Sequence, residues 1–181
     1  MMKDLIGNGT KAVWGGEGEY LMQNATQVPV VHSVSFGYPN LDEWTRVALG
    51  EKKGHIYSRN TNPTVEVFER KVCLLEGSES ATSASTGMGI ISNALFTFLH
   101  PGSRVVSVKD TYGGTNKIFT EFLPKINVEV KLCDTTDHDS IEKEIDKGCD
   151  VLYLETPTNP TIKIIDLKRL SSSGKAKGAI V

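Results

Sequence analysis

Apolar positions change their spacing near residue 61. Upstream, residues 1 to about 60 show no sustained periodicity, and the stretch 23–38, a mixture of Val, Ser, Pro and Gly, reads as an extended arm. One short helix is predicted there, over 41–49, with Asn40 as its cap, Asp42 and Glu43 in its first turn and Gly50 at its end. Downstream, strand and helix patterns alternate. Asn62-Pro63 opens a helix in which Val65, Phe68, Val72 and Leu75 share one face, and Gly77 stops it. The small residues of 80–85 predict a buried strand, and Gly87 leads into an apolar helix over 88–99 that Pro101-Gly102 closes. Strands are then expected over 104–109, 128–132 and 151–155, and helices over 116–123, 140–147 and 167–172, with 171–174 as a frayed helix end. Residues 178–181 read as the opening of one more buried strand, an unusual place for a chain to stop.

This alternation with short connections predicts an α/β fold, a mostly parallel sheet with helices on both faces. It also predicts two segments, an arm over 1–60 and a sheet domain over 61–181.

Composition narrows the function without choosing it. The chain has 181 residues, enough for a sizeable core, and its 39% hydrophobic and 23% charged content is ordinary for a globular protein. A net charge of −2 gives no electrostatic reason to expect nucleic acid or an anionic membrane as a partner. No apolar run is long enough to cross a bilayer, and the first residues lack a signal-peptide core. Cys73, Cys133 and Cys149 have neither metal-ligand nor redox spacing, and read as reduced packing thiols of a cytoplasmic protein. The four histidines are scattered, so no metal site is expected.

In parallel sheets, ligands bind outside the carboxyl ends of the strands. The segment 83–89 places hydroxyls and Gly87 directly before a helix, which suits an anion such as phosphate, or an ordinary helix cap. Its spacing matches neither a Walker A loop nor the Gly-x-Gly-x-x-Gly dinucleotide pattern. In 110–115, the pair Gly113-Gly114 gives freedom to Tyr112, which can lie across a flat ring, carry a proton, or simply pack beside a turn. In 155–160, two prolines fix a short path, so that Glu155 and Asn159 can offer an acceptor and an amide to a heteroaromatic ring, or merely form a surface turn. Upstream, 57–64 is dense in polar groups, and Arg59 carries a fork that matches phosphate oxygens.

Together these four segments resemble, in order and spacing, the motifs of the Cys/Met metabolism pyridoxal-phosphate (PLP) enzymes. Those motifs are Tyr-Ser-Arg-x-x-Asn-Pro-Thr from Tyr57, Ser-x-Gly-Met from Ser85, Tyr-Gly-Gly-Thr from Tyr112, and Glu-x-Pro-x-Asn-Pro from Glu155. The family includes cystathionine γ-synthase, cystathionine γ-lyase, methionine γ-lyase and the O-acylhomoserine sulfhydrylases.

The resemblance implies the large domain of an aspartate-aminotransferase-like fold (PLP fold type I), here incomplete, with pyridoxal 5′-phosphate as cofactor. Gly87 and Met88 would give N–H groups to the cofactor phosphate, and Tyr57 and Arg59 would reach that phosphate from a neighbouring subunit. Tyr112 would stack on the pyridine ring and move substrate protons. Asn159 would bond the 3′ oxygen, and Glu155 would order that edge. The resemblance further implies a homodimer or homotetramer whose amino-terminal arm makes subunit contacts, and an amino-acid substrate undergoing γ-replacement or γ-elimination in sulfur metabolism.

Gly114 stands where methionine γ-lyases carry Cys, which favours the cystathionine γ-synthase/γ-lyase branch. The alternatives are a sulfhydrylase or a non-catalytic fragment. No lysine here lies in the family's Ser-x-Thr-Lys context. The 181-residue chain alone is therefore expected to lack the covalent anchor of the cofactor and to be inactive.

Overall fold

The computed structural model describes residues 7–17 and 25–181. Residues 1–6 and 18–24 of the expected arm lie outside them. The chain divides into two compact units, Met1–Ser83 and Ala84–Val181.

Among the described residues the first unit holds three helices: α1 (Asn8–Trp14), α2 (Leu41–Ala48) and α3 (Pro63–Glu76). Local chemistry sets their ends. The Asn40 side chain accepts the Glu43 N–H at 2.9 Å to open α2. The Asn62 side-chain Oδ1 accepts the Thr64 N–H, also at 2.9 Å, while Pro63 occupies a position that needs no intrahelical donor. Gly77, at φ 68°, closes α3 in the left-handed conformation.

Between α1 and α2 the described chain is irregular and fastened to the head of α3. Thr64 Oγ1 accepts the Val31 N–H and donates to the Pro29 carbonyl, each at 3.0 Å, and Asn62 Nδ2 donates to the Val31 carbonyl at 2.9 Å. α1 also packs on α3, where Lys71 Nζ donates to the Val13 carbonyl at 2.8 Å. These contacts bind α3 to the segments before it, within the first compact unit. The expected apolar face of α3 is real but not buried. Phe68 is 58% exposed, whereas Val67, one position along, is 7% exposed.

The second unit runs α4 (Gly87–Phe98), β1 (Arg104–Val108), α5 (Gly113–Lys117), β2 (Glu129–Cys133), α6 (His138–Asp146), β3 (Val151–Tyr153) and α7 (Leu167–Ala176). Its three strands are parallel in the order β2-β1-β3, with Val106 level with Lys131 and Leu152. A parallel bridge from Val151 to Ile180 marks the strand expected at 178–181.

Alternation along β1 splits the core into two layers. Val106 and Val108 join Ile141, Ile145 and Leu170 from α6 and α7. Val105 joins Leu95 of α4 and Phe119, Leu123 and Val151. The α/β fold with helices on both faces is thus present.

Three expectations need correction. No strand forms over 80–85, because among the described residues no strand lies beside these small residues to hydrogen-bond them. The helix expected at 116 begins at Gly113 and continues as a π-helical turn (Ile118–Phe122) and a 3₁₀ turn (Leu123–Ile126), so the paired glycines are helical and not free loop. The residues expected to fray after 172 are helical to Ala176: Gly174 is buried, and a Cβ there would lie 2.8 Å from Leu152 Cδ2. Close packing therefore holds the end of α7 down.

Candidate functional site

Three segments converge at the carboxyl end of the sheet: the head of α4, the loop after β1 and the loop after β3. At α4, Thr86 Oγ1 accepts the Gly89 N–H at 2.9 Å, and the Thr86 carbonyl accepts the Ile90 N–H at 3.2 Å. Helix geometry leaves the Gly87 and Met88 N–H groups without an intrahelical acceptor. A Cβ at Gly87 would meet nothing within 4 Å, so this peptide face is open to an incoming group. Free amides, an open approach and the positive end of a twelve-residue helix fit a phosphate.

Met88 and Tyr112 flank Gly114. A Cβ at Gly114 would lie 2.8 Å from Met88 Sδ and 3.0 Å from Tyr112 Cε1, and the Thr115 hydroxyl is 3.9 Å from the same sulfur. A residue with a side chain at 114 therefore has to displace one of the two. Tyr112 precedes the first turn of α5 and is 52% exposed, which leaves its ring available to a flat partner.

Glu155 ties the loop after β1 to the loop after β3. Its Oε1 accepts the Tyr112 backbone N–H at 2.8 Å, and its Oε2 accepts the Tyr153 hydroxyl at 3.4 Å. Burial pushes the Tyr153 phenol above its ordinary range, and the ring stands edge-on to Phe119 at 5.3 Å. Asn159 is exposed and follows Thr158, which is 2% exposed and holds the turn. The Thr156-Pro157 and Asn159-Pro160 peptides are both cis.

The structure thus places Met88 and Tyr112 on either side of Gly114, joins Tyr112 to Glu155 by a hydrogen bond, and places Asn159 on the Glu155 loop. Tyr57 and Arg59 belong to the first unit, where the Arg59 guanidinium stands 5.1 Å from the Tyr57 ring centroid. Among the described residues no group of three His, Cys, Asp or Glu is placed to hold a metal, and no helix is long and apolar enough to cross a membrane.

Sequence reasoning did not single out Thr135, Thr158 or Lys163. Asp110 Oδ2 accepts Lys163 Nζ at 2.8 Å and the hydroxyl of the fully buried Thr135 at 2.5 Å. The Lys163 hydrogen bond, with that of Thr135 after it, holds the Asp110 carboxyl below its usual range, and the Asp110 hydrogen bond raises the Lys163 ammonium above its own. Ile162, just before Lys163, has φ 52°, an outlying conformation for a β-branched residue. No local pattern marks Lys163 among the other basic residues. Only the folded loop brings it to Asp110.

A parallel sheet with an open helix head, an exposed tyrosine and an acid–amide loop at one end is the frame of a fold type I PLP enzyme. The chain belongs to the Cys/Met metabolism PLP-dependent enzyme family, whose sequence profile matches residues 9–181.

Among named relatives it is 37% identical over 165 residues to L-methionine gamma-lyase of Fusobacterium nucleatum subsp. polymorphum, covering 91% of this chain and 42% of that protein. It is 32% identical over 157 residues to cystathionine gamma-lyase of Bacillus subtilis, covering 87% and 39%. In structure it resembles the cystathionine gamma synthase of Xanthomonas oryzae pv. oryzae solved with aminoacrylate and cysteine, with TM-score 0.85 and 28% identity over 97% of this chain and 43% of that one. The chain spans less than half the length of these relatives. Methionine γ-lyases stand among them although Gly114 occupies the position where the resemblance expects their Cys.

Proposed function

We propose that this chain forms the phosphate- and ring-holding side of a PLP site for γ-replacement or γ-elimination on homoserine-derived sulfur amino acids. The observation that carries the reading is the junction of Tyr112 with Glu155 at 2.8 Å beside the open head of α4.

When bound, the cofactor supplies an electron sink for charge developing on the substrate carbons. The remaining work falls to side chains and amides. Gly87 and Met88 N–H groups hold the phosphate. Tyr112 covers the ring and moves a proton at its phenol oxygen. Asn159 gives its amide to the ring oxygen, and Glu155 keeps Tyr112 in register by holding its N–H. Tyr57 and Arg59 serve the phosphate of a second copy, which makes the working form at least a homodimer. No lysine of these 181 residues lies in the family's Ser-x-Thr-Lys context, and the chain is proposed to hold PLP without turnover.

Titration of the 181-residue protein with PLP, followed by absorbance and tyrosine fluorescence, tests this reading. Saturable binding is expected, weakened about tenfold by Tyr112→Ala, a loss of about 1.4 kcal/mol. After borohydride reduction, peptide mapping is expected to show no single lysine carrying the pyridoxyl group in stoichiometric yield. No 2-oxoacid should form from cystathionine. Absence of saturable binding would overturn the site, and stoichiometric labelling of one lysine with turnover would overturn the missing anchor.

A further inference from the structure

We propose that the Lys163–Asp110 ion pair is a positioning clasp that fixes the loop carrying Tyr112 against the loop carrying Asn159, an inference that rests on the function proposed above. One carboxylate oxygen of Asp110 gathers donors from the segments that follow the other two strands: Thr135 Oγ1 after β2, and Lys163 Nζ, at 2.8 Å, after β3. Thr135 is fully buried, so the carboxylate has a fixed seat on one side.

Lys163 is fixed as well. Its backbone N–H donates to Thr158 Oγ1 at 2.9 Å, and its carbonyl accepts the Thr158 N–H at 3.0 Å. The buried Thr158 is the residue before Asn159, so pulling on the ammonium pulls on the Asn159 turn.

The Glu155–Tyr112 hydrogen bond is a second attachment between the same two loops. One attachment leaves a hinge, whereas two set both distance and rotation. Preorganisation of this kind matters to a site in which a ring-covering phenol and an amide must meet one flat ligand.

The pair also explains why Lys163, although at the site's margin, is not the missing amine. Paired to a carboxylate, it keeps its proton and has no lone pair for a carbonyl carbon. Partly exposed ion pairs add little to global stability, so the effect of the clasp should be local.

The test compares Lys163→Met, Lys163→Arg, Asp110→Asn and the double variant Asp110→Asn/Lys163→Met in the 181-residue protein. Hydrogen-exchange mass spectrometry is read at 110–116 and 156–162, with β1 as the internal control. Lys163→Met is expected to speed exchange about fivefold in both loops and not in β1. Lys163→Arg should restore it, and the double variant should be no worse than Lys163→Met alone. Unchanged exchange at 110–116, or an equal rise in every peptide, would overturn the clasp. PLP titration of the same variants should show about tenfold weaker binding for Lys163→Met and near-normal binding for Lys163→Arg. If the wild-type chain binds no PLP, the function above fails, while the exchange data still decide the clasp.

Discussion

Tyr112 donates its backbone N–H to Glu155 Oε1 at 2.8 Å, across 43 residues of sequence. The bond connects the head of α5 to the end of β3, and so connects the exposed phenol to the loop that carries Asn159. Replacing Glu155 with Ala removes the acceptor and is expected to cost about 1 kcal/mol. Glu155→Gln keeps a carbonyl oxygen and should recover most of that. The readout is amide exchange at Tyr112 by NMR. Unchanged protection in the Ala variant would mean that the bond does not govern this loop.

At the opposite end of the sheet, Arg104 gathers Glu129 Oε1 at 2.8 Å, Glu144 Oε2 at 2.6 Å and the carbonyls of Glu144 and Gly148. Its side chain is 16% exposed and that of Glu144 11%. Arg104→Met should therefore destabilise the protein by about 3 kcal/mol, the low end for breaking a buried pair, because Lys147 still reaches Glu144. Urea unfolding should show a lower midpoint with an unchanged slope. A midpoint within error of wild type would contradict the network.

Ile162 holds a left-handed conformation at φ 52° while 71% of it is exposed. Glycine reaches that conformation without the Cβ penalty of roughly 1–2 kcal/mol. Ile162→Gly should leave stability unchanged or raise it by up to about 1 kcal/mol. A substantial fall in Tm would show that the isoleucine side chain contributes packing.

The Asp110–Lys163 pair sets a pH window. The Asp110 carboxyl lies below its ordinary value, chiefly through the Lys163 hydrogen bond and then that of Thr135, with Lys109 adding to the effect. Its stabilisation is complete above the ordinary aspartate value and disappears as pH falls through the depressed one. Lys163 is raised, chiefly by its hydrogen bond to Asp110, with Asp134 also acting on it. Its contribution is complete below the ordinary lysine value and disappears as pH rises through the raised one. The Tm difference between wild type and Asp110→Asn, small for a partly exposed pair, should stay level from about pH 5 to about pH 9 and shrink on the acid side only below about pH 4. A difference already fading at pH 6 would contradict the pairing.

Local signals were legible where a residue acts on its own neighbours. Asn40, Asn62, Pro63 and Gly77 open and close helices through bonds and φ angles that span a few positions. Alternating periodicity was equally legible, because a parallel sheet covered on both faces demands it. The segment 80–85 was not, because a strand exists only beside another strand, and its composition carries no record of a partner.

What the sequence determined by itself is the ends of α2 and α3, the α/β alternation and the four motifs that place the chain in its family. Which face of α3 is buried, the helical state of Gly113-Gly114, and the meeting of Asp110 with Thr135 and Lys163 were decided only in three dimensions. The reason is physical: capping and periodicity depend on residues a few positions apart, whereas burial and ion pairing depend on which distant segments come to lie alongside.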